Sequence, residues 1–141
     1  MSNYGERLNE LIFDMKISPE KLSKDLGVSL STVYRWKNNE TEFYLSNLVA
    51  LADYFRCSVD FILCRTEDLQ DYPPKQCPPF YQRLRTVMRE KGVTTYKLRK
   101  TTRYDGQYFQ KWSSGADPLA STIVELANIL DCSVDYLLGR E

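Results

Sequence analysis

Residues 18–39 read SPEKLSKDLGVSLSTVYRWKNN, and this stretch decides the fold. Ser18 is suited to cap a helix, and Pro19 is tolerated only in the first turn that follows such a cap. Gly27-Val28 makes a tight turn, Ser29 is a second cap, and another helix runs over about 30–38. A turn this short needs a left-handed residue, which Gly27 supplies cheaply. Leu22, Leu26, Val33 and Trp36 then face inward and lock the two helices together, leaving the opposite face of the second helix free.

Outward from this centre the chain reads as short helices with no period-2 strand. Leu8, Leu11, Ile12 and Met15 follow the i, i+3, i+4, i+7 spacing of a preceding helix. A later helix near 45–55 carries Leu45, Leu48, Val49, Leu51, Ala52 and Phe55. Ser58 caps a last short one, with Asp60 in its first turn.

The whole pattern then recurs. Trp36 and Trp112 are 76 positions apart, and the same offset brings Arg7 onto Arg83, Leu8 onto Leu84, Lys21 onto Lys97 and Leu22 onto Leu98. After a one-residue deletion, Leu51-Ala52 falls on Leu126-Ala127, and Cys57-Ser58-Val59-Asp60 falls on Cys132-Ser133-Val134-Asp135. The second set of helices is expected at about 80–91, 95–102, 106–114, 120–130 and 133–138. Each copy is roughly 65 residues, enough for a small helical core. The expected organisation is a first domain over 1–68, a linker over 69–79 and a second domain over 80–141. The linker's two Pro-Pro pairs favour an extended spacer with a reach on the order of 34 Å.

Bulk properties exclude several classes. Of 141 residues, 43% are hydrophobic and 27% charged, as in an ordinary globular protein. No apolar run approaches the ~20 residues that cross a bilayer, and no signal peptide opens the chain, so the expectation is cytoplasmic with no membrane partner. The net charge of zero averages unlike halves: residues 1–72 carry 8 basic and 12 acidic side chains, and residues 73–141 carry 11 and 7. Cys57, Cys64, Cys77 and Cys132 form no close pair and there is no histidine, so buried free thiols, with a structural disulfide as the lesser alternative, are expected rather than a metal site. Nucleophile motifs and phosphate loops are lacking, and so is a carboxylate pair shared by both copies. No enzyme, no cofactor and no small-molecule ligand is expected.

The stretch SPEKLSKDLGVSLSTVYRWKNN resembles the lambda-repressor-like, Cro-type helix-turn-helix regulators. So do the opening YGERLNELIFDMKIS and the closing CSVDFIL. In the second copy the resemblance runs through FYQRLRTVMREKGVTTYKL, KWSSGADPLASTIVELANIL and CSVDYLLG, so that only the linker is left uncovered. It implies an all-α fold of two tandem five-helix lambda-repressor-like domains joined by a Pro-rich linker, and double-stranded DNA as the partner. In that docking mode the first motif helix braces the second in the major groove.

The resemblance then assigns a reading face. In the first copy it holds Leu30, Ser31, Tyr34 and Arg35, with Ser29 before it and Lys37 and Asn38 beyond; in the second it holds Gly106, Gln107, Gln110 and Lys111, with Tyr108 at the edge. Arginine suits guanine, glutamine suits adenine, and leucine suits a thymine methyl. Ser18 and Thr95 stand at the heads of the bracing helices, where backbone amides hold phosphate. Trp36 and Trp112 are expected in the core. Tyr34 and Tyr108 are either DNA contacts or ordinary exposed aromatics, and the basic run Lys97 to Arg103 is either a phosphate surface or a solvated face. Phe61, Ile62, Tyr136 and Leu137 are core or a dimer surface, core being preferred.

Both copies depart from the family pattern. Pro19 offers no donor, and Asn39 replaces a glycine. Arg99 and Arg103 replace a small residue and the turn glycine in the second copy, so its turn is either strained by about 1 kcal/mol or built differently. Charge runs the other way: residues 18–38 are net +2 and residues 94–114 net +4. Three functions follow: a transcriptional regulator and repressor that reads two adjacent DNA sites as a covalent pseudo-dimer; one DNA-binding copy with a divergent protein-binding or dimerising copy, antitoxin-like or anti-repressor-controlled; or a protein-interaction module alone.

Overall fold

The computed structural model describes residues 3–141, so the first two residues of the expected 1–68 domain lie outside the described residues. The chain divides into two compact units, Met1–Pro74 and Lys75–Glu141. The first holds α1 (Tyr4–Asp14), α2 (Pro19–Leu26), α3 (Leu30–Lys37), α4 (Leu45–Phe55) and α5 (Val59–Ile62). The second holds α6 (Phe80–Lys91), α7 (Thr95–Thr101), α8 (Gly106–Ser113), α9 (Ala120–Ile129) and α10 (Val134–Leu138). No membrane-crossing helix, long and apolar enough, occurs among the described residues.

Caps set the helix starts. Ser18, Ser29 and Ser58 accept hydrogen bonds from the backbone N–H groups of Lys21, Thr32 and Phe61. Thr94, Asp105 and Ser133 accept them from Lys97, Gln107 and Tyr136. Each such cap contributes about 1 kcal/mol.

The stops repeat too, because left-handed residues recur in pairs: Lys16 and Gly92, Asn39 and Gly115, Arg56 and Asp131, Cys64 and Gly139. The Lys16 stop corrects the expected core stripe. Helix α1 ends at Asp14, and Met15 is left 47% exposed.

One left-handed position is not repeated. Gly27 has φ 73°, whereas Arg103 is not left-handed. Helix α7 stops earlier, at Thr101, and Thr102 is extended. The Thr102 hydroxyl donates to Leu98 O and accepts from Tyr104 N. A threonine side chain thus builds the turn that Gly27 builds in the first unit, without left-handed strain.

Leu8, Leu22, Val33, Leu48 and Leu51 are fully buried in the first unit, as are Leu84, Leu98, Ile123 and Leu126 in the second. Burying one such side chain is worth about 1.5–3 kcal/mol. Trp36 and Trp112 are 2% and 5% exposed, both core. Tyr104, at the place of Val28, is also fully buried. Its hydroxyl lies 3.1 Å from Thr122 Oγ1 and 3.3 Å from Glu125 Oε2, and its ring packs against Tyr108 and Trp112.

The repeat-matched arginines fasten the first helix of each unit to its last. Arg7 Nη1 donates to Phe61 O at 2.8 Å and Thr66 O at 3.3 Å, and its guanidinium lies 4.0 Å from the Phe61 ring centroid. Arg83 Nη2 donates to Tyr136 O at 2.6 Å and Nε to Leu137 O at 3.3 Å. Low-exposure ion pairs, Asp60–Arg65 and Asp135–Arg140, close the ends of the units. Phe61, Ile62 and Leu137 are buried, and Tyr136 is half-buried.

Two other expectations change. Only Cys57 is a buried thiol; Cys64, Cys77 and Cys132 are half-buried, and burial pushes the Cys64 thiol up. The start of the 69–79 segment is held to the first unit, with Asp71 Oδ1 2.8 Å from Arg56 Nε and Tyr72 N donating to Arg56 O.

Candidate nucleic-acid interface

Helix α3 buries Val33 and Trp36 and presents its other side to solvent. Leu30, Ser31, Tyr34, Arg35 and Asn38 stand at i, i+1, i+4, i+5 and i+8, one face of a helix, and all are exposed. Arg35 has no side-chain partner among the described residues and is free to reach outward. Lys37 is half-buried, with Nζ 4.8 Å from the Tyr34 ring centroid, so its charge lies at the edge of the same face. Ser29 is occupied in part: its hydroxyl caps Thr32 N and lies 3.1 Å from Ser31 Oγ.

The far end of α3 is seated on α1. Gly5 is buried, and a Cβ built on it would stand 2.3 Å from Lys37 O and 2.8 Å from Trp36 O. Gly5 N donates to Asn39 Oδ1 at 2.9 Å, and Asn39 takes the left-handed φ of 59° that its short polar side chain tolerates. Only glycine at position 5 allows this approach. The corresponding position in the second unit is Tyr81, so α8 meets α6 through a different surface.

Tyr54 braces the other side. Its hydroxyl donates to Asp25 Oδ2 at 2.6 Å, tying α4 to the end of α2, and Lys21 Nζ lies 3.1 Å from the same oxygen. The shared proton pushes the Tyr54 phenol up to about 12 and holds the Asp25 carboxyl below its usual range.

The head of α2 is a poor phosphate clamp. Ser18 Oγ already accepts from Lys21 N, and Pro19 has no N–H, so Glu20 supplies the one unencumbered early amide. Ser18 thus stands apart from the α3 face as a cap.

In the second unit, Gln107, Gln110 and Lys111 are exposed and line one open depression of about 710 Å³ with Ser114, Gly115 and Ala116. Tyr108 does not join them freely: its half-buried ring packs 5.0 Å from Tyr104 and 5.8 Å from Trp112, and Lys111 Nζ lies 5.8 Å from it. Thr95 lies apart on α7, where its hydroxyl accepts from Arg85 Nη1 at 2.8 Å. Lys97, Arg99, Lys100 and Arg103 are all exposed. Arg99, which stands where the family pattern keeps a small residue, is among these exposed side chains.

Comparison with known proteins supplies the family. Residues 7–68 match the Cro/C1-type helix-turn-helix DNA-binding domain. The first unit is a Cro/C1-type helix-turn-helix domain. The chain is 34% identical over 74 residues to the HTH-type transcriptional regulator DicA of Escherichia coli strain K12, covering 52% of this chain and 55% of DicA. It is 37% identical over 59 residues to Repressor protein C2 of Salmonella phage P22, covering 42% and 27%. An uncharacterized HTH-type transcriptional regulator of Haemophilus influenzae is 33% identical over 60 residues, covering 43% and 25%. The chain therefore spans about half of DicA and about a quarter of the other two. No solved structure matches significantly.

The reading-face assignment overlooked Gly5, Ser114, Gly115 and Ala116. A glycine in the first turn of an amphipathic helix is the signal for Gly5, since it weakens the helix without a packing reason. The SSGA stretch after Trp112 is the signal for the open floor beside Lys111.

Proposed function

We propose that the chain is a sequence-specific, double-stranded DNA-binding transcriptional regulator, acting as a repressor, whose α3 and α8 each read one site. The observation that carries this is the α3 face: Leu30, Ser31, Tyr34, Arg35 and Asn38 exposed together on a Cro/C1-type helix whose inner side is locked by Val33 and Trp36. That is the arrangement a major-groove reader needs, with one face fixed to a brace and the other carrying unsatisfied donors. In the second unit Gln107, Gln110 and Lys111 take the same role, and Lys97, Arg99, Lys100 and Arg103 supply phosphate attraction. Ser29 and Lys37 flank the first face, Tyr108 supports the second, and Ser18 and Thr95 mark the backbone-facing helix heads. Joining two readers in one chain raises the effective concentration of the second once the first is bound. DicA and Repressor protein C2 are by name regulators of this kind, which supports the same reading here.

A second reading, in which the second unit binds protein, is favoured by its threonine-built turn and by Gly106 where the first unit has Leu30. Anisotropy titrations of a random duplex across a salt series test the main reading. Binding should weaken steeply with salt, and Arg35→Ala and Lys111→Ala should each lower affinity. Salt-independent or undetectable binding refutes it.

A further inference from the structure

The segment that joins the two units is fastened at both of its ends. On the first unit, Arg7 Nη1 donates to Thr66 O and Nη2 to Glu67 Oε2 at 2.7 Å. Local bonds follow, from Asp68 N to Thr66 Oγ1 and from Gln70 Nε2 to Asp68 Oδ2. The chain then returns to the end of α4. The two carboxylate oxygens of Asp71 accept from Arg56 Nε at 2.8 Å and Nη2 at 3.0 Å, and Tyr72 N donates to Arg56 O at 2.9 Å. On the second unit Pro78 is seated beside left-handed Gly139, where an added Cβ would lie 3.0 Å from Pro78 Cδ. The chain between these fastenings is residues 73–77.

The repeat explains why the first unit has this clasp. Arg56 and Asp131 match and are both left-handed, but Asp131 O accepts from Lys91 Nζ at 3.3 Å. The residue that matches Lys91 is Met15, whose side chain has no N–H, so Arg56 O is left to the Tyr72 amide. A bidentate guanidinium–carboxylate pair beside a backbone hydrogen bond is the geometry in which an exposed ion pair holds a segment in place.

We propose that Arg56 and Asp71 determine which spacing of the two DNA sites the chain accepts, by holding residues 68–72 on the first unit. The inference rests on the two-site reading. With the clasp closed, the spacer is residues 73–77, with a reach on the order of 16 Å. With it open, the chain leaves the first unit at Arg7-held Glu67, and residues 68–77 reach about 31 Å. The difference corresponds to roughly four base pairs at about 3.4 Å each.

Binding of the full chain to duplexes in which the two preferred sequences are moved apart one base pair at a time tests it. Asp71→Ala and Arg56→Asn are run beside the parent, asparagine keeping a residue that accepts the left-handed backbone at 56. The parent should accept a narrow set of spacings, and each variant should widen the set by about four base pairs. Affinity at the parent's best spacing should fall by about threefold, because effective concentration drops as the spacer lengthens. A merely structural role would instead weaken binding alike at every spacing. Without DNA, the Tyr72 amide should be protected from hydrogen exchange in the parent and exchange about fivefold or more faster in both variants. A parent Tyr72 amide that exchanges as in an open chain overturns the proposal and leaves the two-site reading standing. So does a spacing profile that the variants leave unchanged. A protected Tyr72 with no paired site at any spacing overturns the two-site reading, and the spacing role with it.

Discussion

Gly5→Ala is the sharpest perturbation of the first reading helix. The added Cβ would lie 2.3 Å from Lys37 O, 2.8 Å from Trp36 O and 2.9 Å from Lys37 C. All three are backbone atoms, so no side-chain rotation relieves the clash. Ordinary contact begins near 3.4 Å, so α1 and the end of α3 must part locally by about 1 Å. Overpacking of this kind costs about 1–3 kcal/mol. Loss of the Gly5 N to Asn39 Oδ1 hydrogen bond adds about 1 kcal/mol, and the better helix propensity of alanine returns roughly as much. The net expectation is a Tm lower by roughly 5–20 °C for a domain of this size. Tryptophan fluorescence in a Trp112→Phe background isolates the first unit, because Trp36 is then the sole indole. Gly106→Ala, read from Trp112 in a Trp36→Phe background, is the control: a Cβ there meets nothing within 4 Å and the φ is ordinary, so the Tm of the second unit should hold or rise. An unchanged Tm for Gly5→Ala would refute the seating of α3 on α1.

Three further outcomes follow from the packing. Tyr104→Phe leaves the Thr122 hydroxyl without its buried partner and should destabilise the second unit by about 1–2 kcal/mol in urea denaturation, with little change in the first. Arg7→Ala strips a donor from Phe61 O and Thr66 O and should cost about 2–4 kcal/mol, whereas Glu67→Ala removes only the exposed end of the same interaction and should cost under about 1 kcal/mol. Equal losses would contradict the clamp role of Arg7. Tyr54→Phe should be less stable than the parent at neutral pH. Because the Tyr54 phenol is raised on folding, its contribution is intact below its ordinary value near 10 and fades as pH rises towards 12. Because the Asp25 carboxyl is lowered, the contribution is intact above its ordinary value of 3.8 and fades as pH falls further. Thermal melts of the two proteins should therefore converge at both extremes and differ between them.

The helix plan was legible because its signals are local. Ser18, Ser29, Ser58 and Ser133 announce helix starts through their own hydroxyls, and Gly27 announces the turn through backbone freedom. The repeat made each unit a check on the other. What depends on contact across the unit was harder to read. Met15 fits the helical period, yet Lys16 turns the chain left-handed and leaves it outside. Tyr104 looks like one more loop tyrosine, and only the missing glycine nearby hints that the turn is rebuilt, by Thr102, with a bulky residue buried after it. Arg7 and Arg83 match in the repeat as though they were surface charge, whereas each is consumed by carbonyls of the last helix region. The α3 face was assigned through the family resemblance, but its seating on Gly5 could be learned only from the distance between two backbones.

Selection of preferred duplexes from a random DNA pool with the full chain, run beside Arg35→Ala and Lys111→Ala, tests the central claim most directly. The expected result is a bipartite, asymmetric site in which each variant relaxes a different half, because LSTVYRWKNN and GQYFQKWSSG present different side chains. Enrichment of a lone half-site, relaxed by one variant and untouched by the other, would contradict reading by two helices and leave one unit to contact DNA.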